Sequence, residues 1–307
     1  MNGYYFQQRR NTGGWFKEIF FGSNVLSRLI LINTIVFIIA KIILLVTWLI
    51  SGHTPELSLL GQIMALPADF SQLIRKPWTI FTYMFLQEGF LHWLFNMIML
   101  YYGGLLFLEY LSQRKLLFTY IIGGLAGAVF FVLAFNIFPA FSSVKEISIA
   151  LGASASILAI IIAISTYVPD YAVYLFLIGK VKLKYLAIAF VLLDLFSIQS
   201  GNPGGHIAHL GGALWGFLYG YSLRKGTDIY RVFGKWRIPS LSLKRNKFTK
   251  FTTERPASGR PFTDEEYNKR KAAKQHEVDA ILDKISKSGY SSLTKEEKEF
   301  LFKSSKK

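Results

Sequence analysis

Six long apolar runs constrain the fold of this chain more than any other feature of its sequence. A helix needs about 20 apolar residues to cross roughly 30 Å of hydrocarbon. Hydrophobic residues make up 52% of the 307 positions, more than one soluble core requires. The sequence therefore predicts an all-α membrane protein with six transmembrane helices, the last of them rich in glycine. The six runs lie near residues 25–50, 91–111, 116–138, 149–168, 183–200 and 205–222.

Basic residues fall mainly on one side of a six-span arrangement. They lie in the N-terminal segment, at Arg114 and Lys115, in the 180–184 loop and in the C-terminal tail. Because cytoplasmic loops carry the excess of lysine and arginine, we expect both termini to be cytoplasmic. The long 51–89 loop then faces outward, and its mixture of proline, leucine and tryptophan predicts a segment that packs on the bundle near the membrane interface.

Cysteine usage and charge exclude several classes of function. The chain has no cysteine, which removes disulfides, thiolate metal sites and cysteine nucleophiles and leaves serine or histidine chemistry. Its net charge of +16 could indicate nucleic-acid binding, but much of the basic excess follows the last apolar run. We therefore expect anionic lipid, rather than nucleic acid, to be the partner of the basic tail.

Composition divides the chain into four segments. An N-terminal segment (1–24) precedes the membrane domain (25–224), which is followed by a basic linker (225–262) and a small cytoplasmic helical tail (263–307). Within the tail, Thr263 with Glu266 and Thr294 with Glu297 each form the pattern of a capping box, which predicts a helical hairpin. Such a hairpin is too small to bury its own apolar face, so we expect that face to dock on a partner, on a second copy or on the membrane.

Polar residues inside the second and fourth apolar runs are candidates for chemistry. His92 and Asn96 are four residues apart and share one helix face, while Ser154 follows Gly152 at the start of a run of small residues. Interhelical hydrogen bonds and close helix packing would explain these residues without any catalysis. A functional reading makes Ser154 a nucleophile at a helix N-terminus, where backbone N–H groups favour a developing oxyanion.

The sixth run places a histidine on a glycine stripe. Gly212 and Gly216 follow His209 by three and seven residues, and therefore lie on the same helix face. A glycine seam lets two backbones approach closely, which would bring His209 within hydrogen-bonding reach of Ser154. His206 lies one turn earlier and is the competing base.

Taken in order, these motifs resemble those of the rhomboid family of intramembrane serine proteases. No single motif is specific for the family, but the order of the motifs along residues 78–216 is specific for it. The matching motifs are Trp78 to Thr82, His92-xxx-Asn96, Gly123 and Gly127, Gly152-Ala-Ser154 and Ala208-His209-xx-Gly212-xxx-Gly216.

The resemblance implies a six-helix rhomboid bundle in a bacterial inner membrane that cleaves transmembrane protein substrates. It implies Ser154 as nucleophile and His209 as general base, with His92, Asn96 and the Ser154 N–H as the oxyanion hole. Gly152, Gly212, Gly216 and His206 would support the site. The family works with a Ser-His dyad, so Asp194 is expected to cap or pair within the bundle rather than to complete a triad. Neither a metal nor a cofactor is expected.

Three positions depart from the family pattern. Ala155 replaces the second glycine of the GxSG motif, and we expect its methyl group to be accommodated by a small facing residue. Gln87 stands where a histidine often precedes the second span, and Thr79 replaces an arginine. Both are expected to affect loop anchoring and the access of water or substrate.

Two other kinds of function compete with proteolysis. A non-catalytic rhomboid-like protein would bind transmembrane clients, but it would not need Ser154, His209, His92 and Asn96 together. A transporter is less consistent with the sequence, because the polar residues are predicted to cluster at one face rather than along a path through the membrane.

Overall fold

The fold is described from a computed structural model of the chain. It describes residues 19–20, 22, 24–53, 55, 57–87, 89–175, 179–199, 201–233, 281, 284–285, 293–294 and 297–298. The chain separates into two units, Met1–Ile238 and Pro239–Lys307. Most of the N-terminal segment, the linker from residue 234 and the Thr263–Glu266 pattern lie outside the described residues. The four-segment division of the sequence stays a prediction.

Within the described residues of the first unit, six helices form an all-α bundle, as predicted. Three of them, α1, α5 and α6 below, are long and apolar enough to cross a membrane. The six helices are α1 (Val25–Ser51), α5 (Phe90–Tyr110), α6 (Gln113–Ile137), α7 (Ser154–Tyr167), α8 (Leu183–Ser197) and α9 (Pro203–Arg224); short helices are α2 (Leu59–Met64), α3 (Phe70–Arg75), α4 (Thr79–Thr82) and α10 (Ile229–Phe233).

Local sequence explains where these helices begin. The Asn24 side chain accepts a hydrogen bond from the Ser27 N–H at 2.7 Å and caps α1. Asn202 caps α9 in the same way, accepting from the Gly205 N–H at 3.0 Å, and is followed by Pro203 in the first turn. Both helices therefore start close to the predicted positions.

The fourth helix starts later than predicted. The sequence indicated a span from residue 149, but Ile149 and Ala150 form strand β2, which pairs antiparallel with β1 (Leu66–Pro67). These two residues therefore belong to a strand pair rather than to the helix. The helix begins only at Ser154, and its 14 residues cover about 21 Å, less than the thickness of the hydrocarbon.

The 51–89 loop packs on the bundle, as predicted. Leu66 in strand β1 and Met84, just after α4, lie in the main core, where both are fully buried. The Trp78 indole Nε1–H donates to the Ile63 carbonyl at 2.9 Å, and the Thr79 hydroxyl donates to the Lys76 carbonyl at 2.7 Å. Thr79 thus contributes to the local anchoring of the loop, as expected from its position.

The opposite end of the bundle is rich in charge. Lys115 at the start of α6 forms a 2.9 Å ion pair with Asp228, just after α9. Between α7 and α8, strands β3 (Ala172–Leu175) and β4 (Gly179–Lys182) form a hairpin. Its neighbour Asp170 contacts the ammonium groups of Lys182 and Lys184 at 3.0 and 2.9 Å, which lowers the pKa of Asp170 to about 2.

In the second unit, the predicted capping box at Thr294 is confirmed. The Glu297 N–H donates to the Thr294 hydroxyl at 3.3 Å, and the Glu297 carboxylate accepts from the Thr294 N–H at 2.7 Å. The same carboxylate accepts from the Lys284 ammonium at 2.8 Å. Ile281 and Leu293 are buried.

Candidate active site

Ser154 is the first residue of α7 and comes two residues after Gly152, which has an unusual backbone conformation. Gly152 has a φ of +125°, a conformation that side-chain-bearing residues rarely adopt, and its N–H donates to the Tyr83 carbonyl at 3.0 Å. The N-cap residue is Ala153, so no side chain caps the first turn of the helix. The N–H groups at this helix start therefore carry partial positive charge close to Ser154.

His209 meets Ser154 directly. The His209 Nε2 atom lies 2.6 Å from the Ser154 Oγ atom, a hydrogen-bonding distance, and both side chains are partly buried. His206 makes no such contact with Ser154, and its Nδ1 atom instead forms a hydrogen bond with Asp194. Of the two histidines considered from the sequence, His209 is the one that the fold brings to the serine.

The predicted glycine seam explains how the two residues come so close. A Cβ atom added at Gly212 would lie 2.1 Å from the Ala155 carbonyl oxygen, and one added at Gly216 would lie 2.4 Å from the Ala159 carbonyl oxygen. Helices α9 and α7 therefore pack backbone to backbone, with no room for a side chain between them.

Ala155 fits this packing as predicted. Its Cβ atom would be 2.7 Å from a Cβ atom added at Gly127, so the absence of a side chain at Gly127 on α6 makes room for the extra methyl group. A small facing residue thus compensates for the missing second glycine.

His92 borders the same site from α5. A Cβ atom added at Gly152 would lie 2.8 Å from His92 Cε1 and 3.5 Å from Ser154 Oγ, so the imidazole and the hydroxyl flank one point of the backbone. Asn96, one turn further along α5, is buried and donates from Nδ2 to the Gln87 Oε1 atom at 3.0 Å. The structure thus gathers Ser154, His209, Gly152 and His92, and holds Asn96 through Gln87.

Gln87 forms hydrogen bonds with side chains of α1 and α5. It is fully buried, and its Nε2 atom donates to the Asn33 Oδ1 atom on α1 at 3.1 Å while its Oε1 atom accepts from Asn96. The Asn33 amide in turn donates to the Tyr120 hydroxyl at 3.1 Å. Gln87 therefore links the candidate site to α1 and, through Asn33, to α6. Its expected effect on loop anchoring and access stays a prediction.

Asp194 lies at the candidate site, beside the two histidines of α9. Its Oδ1 atom lies 2.8 Å from Nδ1 of His206 and 2.8 Å from Nδ1 of His209. It pairs within the bundle as expected, but its contact with His209, which in turn contacts Ser154, has the geometry of the triad that was not expected from the sequence. Its contact with His206 was not expected either. One signal could have found these contacts: a single carboxylate in an apolar helix needs partners, and two histidines three residues apart share a helix face.

The same three residues are the described side chains that could offer a group of metal ligands. Their ligand atoms lie within 4.8 Å of one another. Two ligands of a tetrahedral zinc ion at about 2.0–2.1 Å lie roughly 3.3 Å apart. The 2.8 Å separations between the carboxylate oxygen and each imidazole nitrogen are shorter than this and have the length of charge-assisted hydrogen bonds.

Comparison with known proteins identifies the membrane unit. Residues 75–226 match the rhomboid domain family, and residues 263–307 match a family of unknown function, DUF6576. No curated protein matches the chain. The rhomboid match spans the end of the 51–89 loop from Arg75, the Ser154–His209 contact and the glycine seam of α9, all within the apolar helical bundle described above. The chain is therefore a membrane protein that belongs to the rhomboid family.

Proposed function

We propose that this chain is an intramembrane serine endopeptidase that cleaves transmembrane or membrane-proximal segments of membrane proteins. The observation that carries the proposal is the 2.6 Å contact between His209 Nε2 and Ser154 Oγ. A serine hydroxyl is a weak nucleophile unless an adjacent base accepts its proton. Rhomboid proteins are generally intramembrane proteases, and the family match is consistent with this pairing.

In the proposed reaction, Ser154 Oγ attacks the scissile carbonyl carbon while its proton moves to His209 Nε2. His209 then gives this proton to the leaving amine nitrogen, which leaves an acyl-enzyme on Ser154. Water, deprotonated by His209, hydrolyses the ester and restores the serine. Backbone N–H groups at the start of α7, with the His92 and Asn96 side chains, would stabilise the oxyanion.

The depth of Ser154 supports cleavage below the membrane surface. Helix α7 covers about 21 Å, so a helix that reaches one interface with Tyr167 leaves Ser154 roughly 9 Å short of the other. The paired strands β1 and β2 lie on that side, next to the serine. A transmembrane segment would thus meet the nucleophile near the edge of the hydrocarbon.

The proposal also covers the membrane in which the enzyme lies, its orientation and its binding partners. A bacterial inner membrane with both termini cytoplasmic would place Ser154 on the extracytoplasmic side. Anionic lipid remains the partner proposed for the basic linker, with about 1 kcal/mol for each basic residue near the surface. For the C-terminal helices we keep the proposal of a partner chain or a second copy.

The test is cleavage of a fluorescent transmembrane substrate by the full chain in liposomes. We expect Ser154→Ala and His209→Ala each to lower kcat by roughly 10⁴-fold or more, the scale found when one member of such a pair is removed. Ser156→Ala is the matched control: it lies on the same helix, and its hydroxyl contacts the Met84 sulfur at 3.9 Å rather than His209.

A fluorophosphonate probe provides a second readout that needs no substrate. Labelling should occur on Ser154 and disappear in Ser154→Ala. Equal cleavage by the wild type and Ser154→Ala would refute the protease proposal. Absence of both cleavage and labelling in the folded wild type would favour a rhomboid-like protein that binds clients without cutting them.

A further inference from the structure

Asp194 stands between two histidines at the candidate site. It lies on α8, and its side chain is 12% exposed, whereas those of His206 and His209 are 25% and 24% exposed. A single oxygen, Oδ1, lies 2.8 Å from the Nδ1 atoms of both histidines. The two histidines belong to the first turns of α9, so one carboxylate on α8 is bound by two imidazoles on its neighbour.

These contacts fix where the proton of His209 resides. An ionised carboxylate can only accept hydrogen bonds, so the imidazole nitrogen facing it must carry a hydrogen. In a neutral imidazole the other nitrogen is then an acceptor. For His209 that other nitrogen is Nε2, which faces the Ser154 hydroxyl at 2.6 Å. This tautomer is the one that can take the serine proton.

We propose that Asp194 is a positioning residue that holds His209 in its Nδ1–H tautomer and turns its Nε2 lone pair toward Ser154. This inference rests on the proposed function and deepens it, since the family pattern that the chain resembles is a dyad. Asp194 does not touch Ser154 and acts through His209.

The contact between Asp194 and His209 would also stabilise the charge that forms on His209 during the reaction. When the Ser154 proton moves to Nε2, His209 becomes an imidazolium next to the Asp194 carboxylate. In a site shielded from water, attraction between these opposite charges is stronger than at an exposed surface. Asp194 stays ionised throughout, and the proton leaves on the amine product.

His206 completes the arrangement from the other side of the carboxylate. A carboxylate within an apolar helix is costly unless its lone pairs are occupied. His206 supplies a second N–H to Oδ1 and thereby fixes the position of the oxygen that His209 uses. We infer that His206 acts on His209 through Asp194.

Asp194→Asn is the most direct test. Asparagine has the same shape, but its amide can donate to His209 Nδ1 and so favour the tautomer with hydrogen on Nε2, which cannot accept the serine proton. We expect kcat to fall about 10²–10⁴-fold, the upper value being that of the corresponding change in a serine-protease triad. KM should stay within about threefold, because Asp194 is not expected to contact the substrate.

A spectroscopic readout separates this role from a purely structural one. In ¹⁵N-histidine NMR of the wild type, His209 should carry its hydrogen on Nδ1, and in Asp194→Asn on Nε2. Substitution of each of the five histidines in turn assigns the signals. For His206, glutamine retains an N–H donor, so His206→Gln should keep more activity than His206→Leu.

The outcomes are distinguishable from those of the protease proposal. If Asp194→Asn cleaves within threefold of the wild type while Ser154→Ala is inactive, the positioning role is wrong and the protease remains. A wild-type His209 with hydrogen on Nε2 would also overturn the inference, and this measurement requires no variant to fold. Cleavage by Ser154→Ala would refute both.

Discussion

At the scale of single residues, a chain of buried hydrogen bonds holds Asn96 in place beside the candidate site. Asn96 donates to Gln87, Gln87 donates to Asn33, and Asn33 donates to the Tyr120 hydroxyl. The Tyr120 hydroxyl donates to the Met84 carbonyl at 2.9 Å. Each of these side chains donates a hydrogen bond to the next group, so that the buried polar groups have the partners that an apolar bundle requires. Asn96 therefore has a fixed orientation on one side of the site.

Asn96→Ala tests whether that orientation serves the oxyanion. If the Asn96 amide stabilises the oxyanion, its removal should lower kcat by roughly 10²–10³-fold. Asn136→Ala is a matched control, because Asn136 is a partly buried asparagine whose amide donates to the Ala68 and Val132 carbonyls instead. A loss well below tenfold for Asn96→Ala would remove Asn96 from the proposed oxyanion hole.

At the scale of elements, the contact between α7 and α9 decides where the serine and the histidine lie. Gly212, Gly216 and Gly220 each face a backbone carbonyl of α7 at a distance that excludes a side chain. Because the glycines follow His209 on one stripe, close packing of the two helices also fixes the imidazole next to Ser154. The seam is therefore a condition for the site as well as for the bundle.

Gly212→Ala should disrupt both the packing of the bundle and the geometry of the candidate site. The added methyl group would meet the Ala155 carbonyl oxygen at 2.1 Å, and a backbone atom cannot move aside cheaply. We expect the free energy of unfolding to fall by about 1–3 kcal/mol, as overpacked positions do, and cleavage to fall further because Ser154 precedes Ala155. Thermal unfolding in detergent and liposome cleavage measure the two effects.

Gly103→Ala is the control for this prediction. Its added methyl group would meet only the flexible Ile161 side chain at 3.0 Å, so it should cost less stability and little activity. A Gly212→Ala protein with the thermal stability and cleavage rate of the wild type would show that α7 and α9 can separate without loss of function.

At the scale of the whole molecule, the two ends of the bundle differ in charge. Lys115, Lys182 and Lys184 lie at the end where α6 begins and α7 ends, whereas Ser154 lies at the other end with the β1–β2 pair. The positive-inside rule then favours a cytoplasmic location for the lysine-rich end. In the proposed orientation, Ser154 would lie on the side away from the cytoplasm.

The absence of cysteine makes the orientation directly testable. Ser143→Cys introduces a thiol at an exposed position between α6 and α7, and Lys180→Cys introduces one at an exposed position of the β3–β4 hairpin. A membrane-impermeant maleimide should label Ser143→Cys in intact bacterial cells and Lys180→Cys only after the membrane is opened. The reverse pattern would invert the proposed topology.

The sequence by itself determined the class of fold and most of the candidate site. Apolar runs of sufficient length leave little choice but membrane helices, because backbone polar groups must be satisfied within each segment. Motif order then indicated Ser154 and His209, and the spacing of Gly212 and Gly216 indicated the face on which α9 packs. The glycine spacing is a local property that periodicity records, whereas the roles of Ser154 and His209 came from the resemblance to the rhomboid family.

Only the tertiary structure decided what the remaining polar residues contact. Asp194 and Gln87 are isolated in the sequence, and the partners of Asp194, His206 and Gln87 lie on other segments of the chain. The late start of α7 also depends on a strand from the 51–89 loop, far away in the chain. Hydrogen bonds between elements are set by helix rotation and register, and no periodic pattern within one segment encodes these.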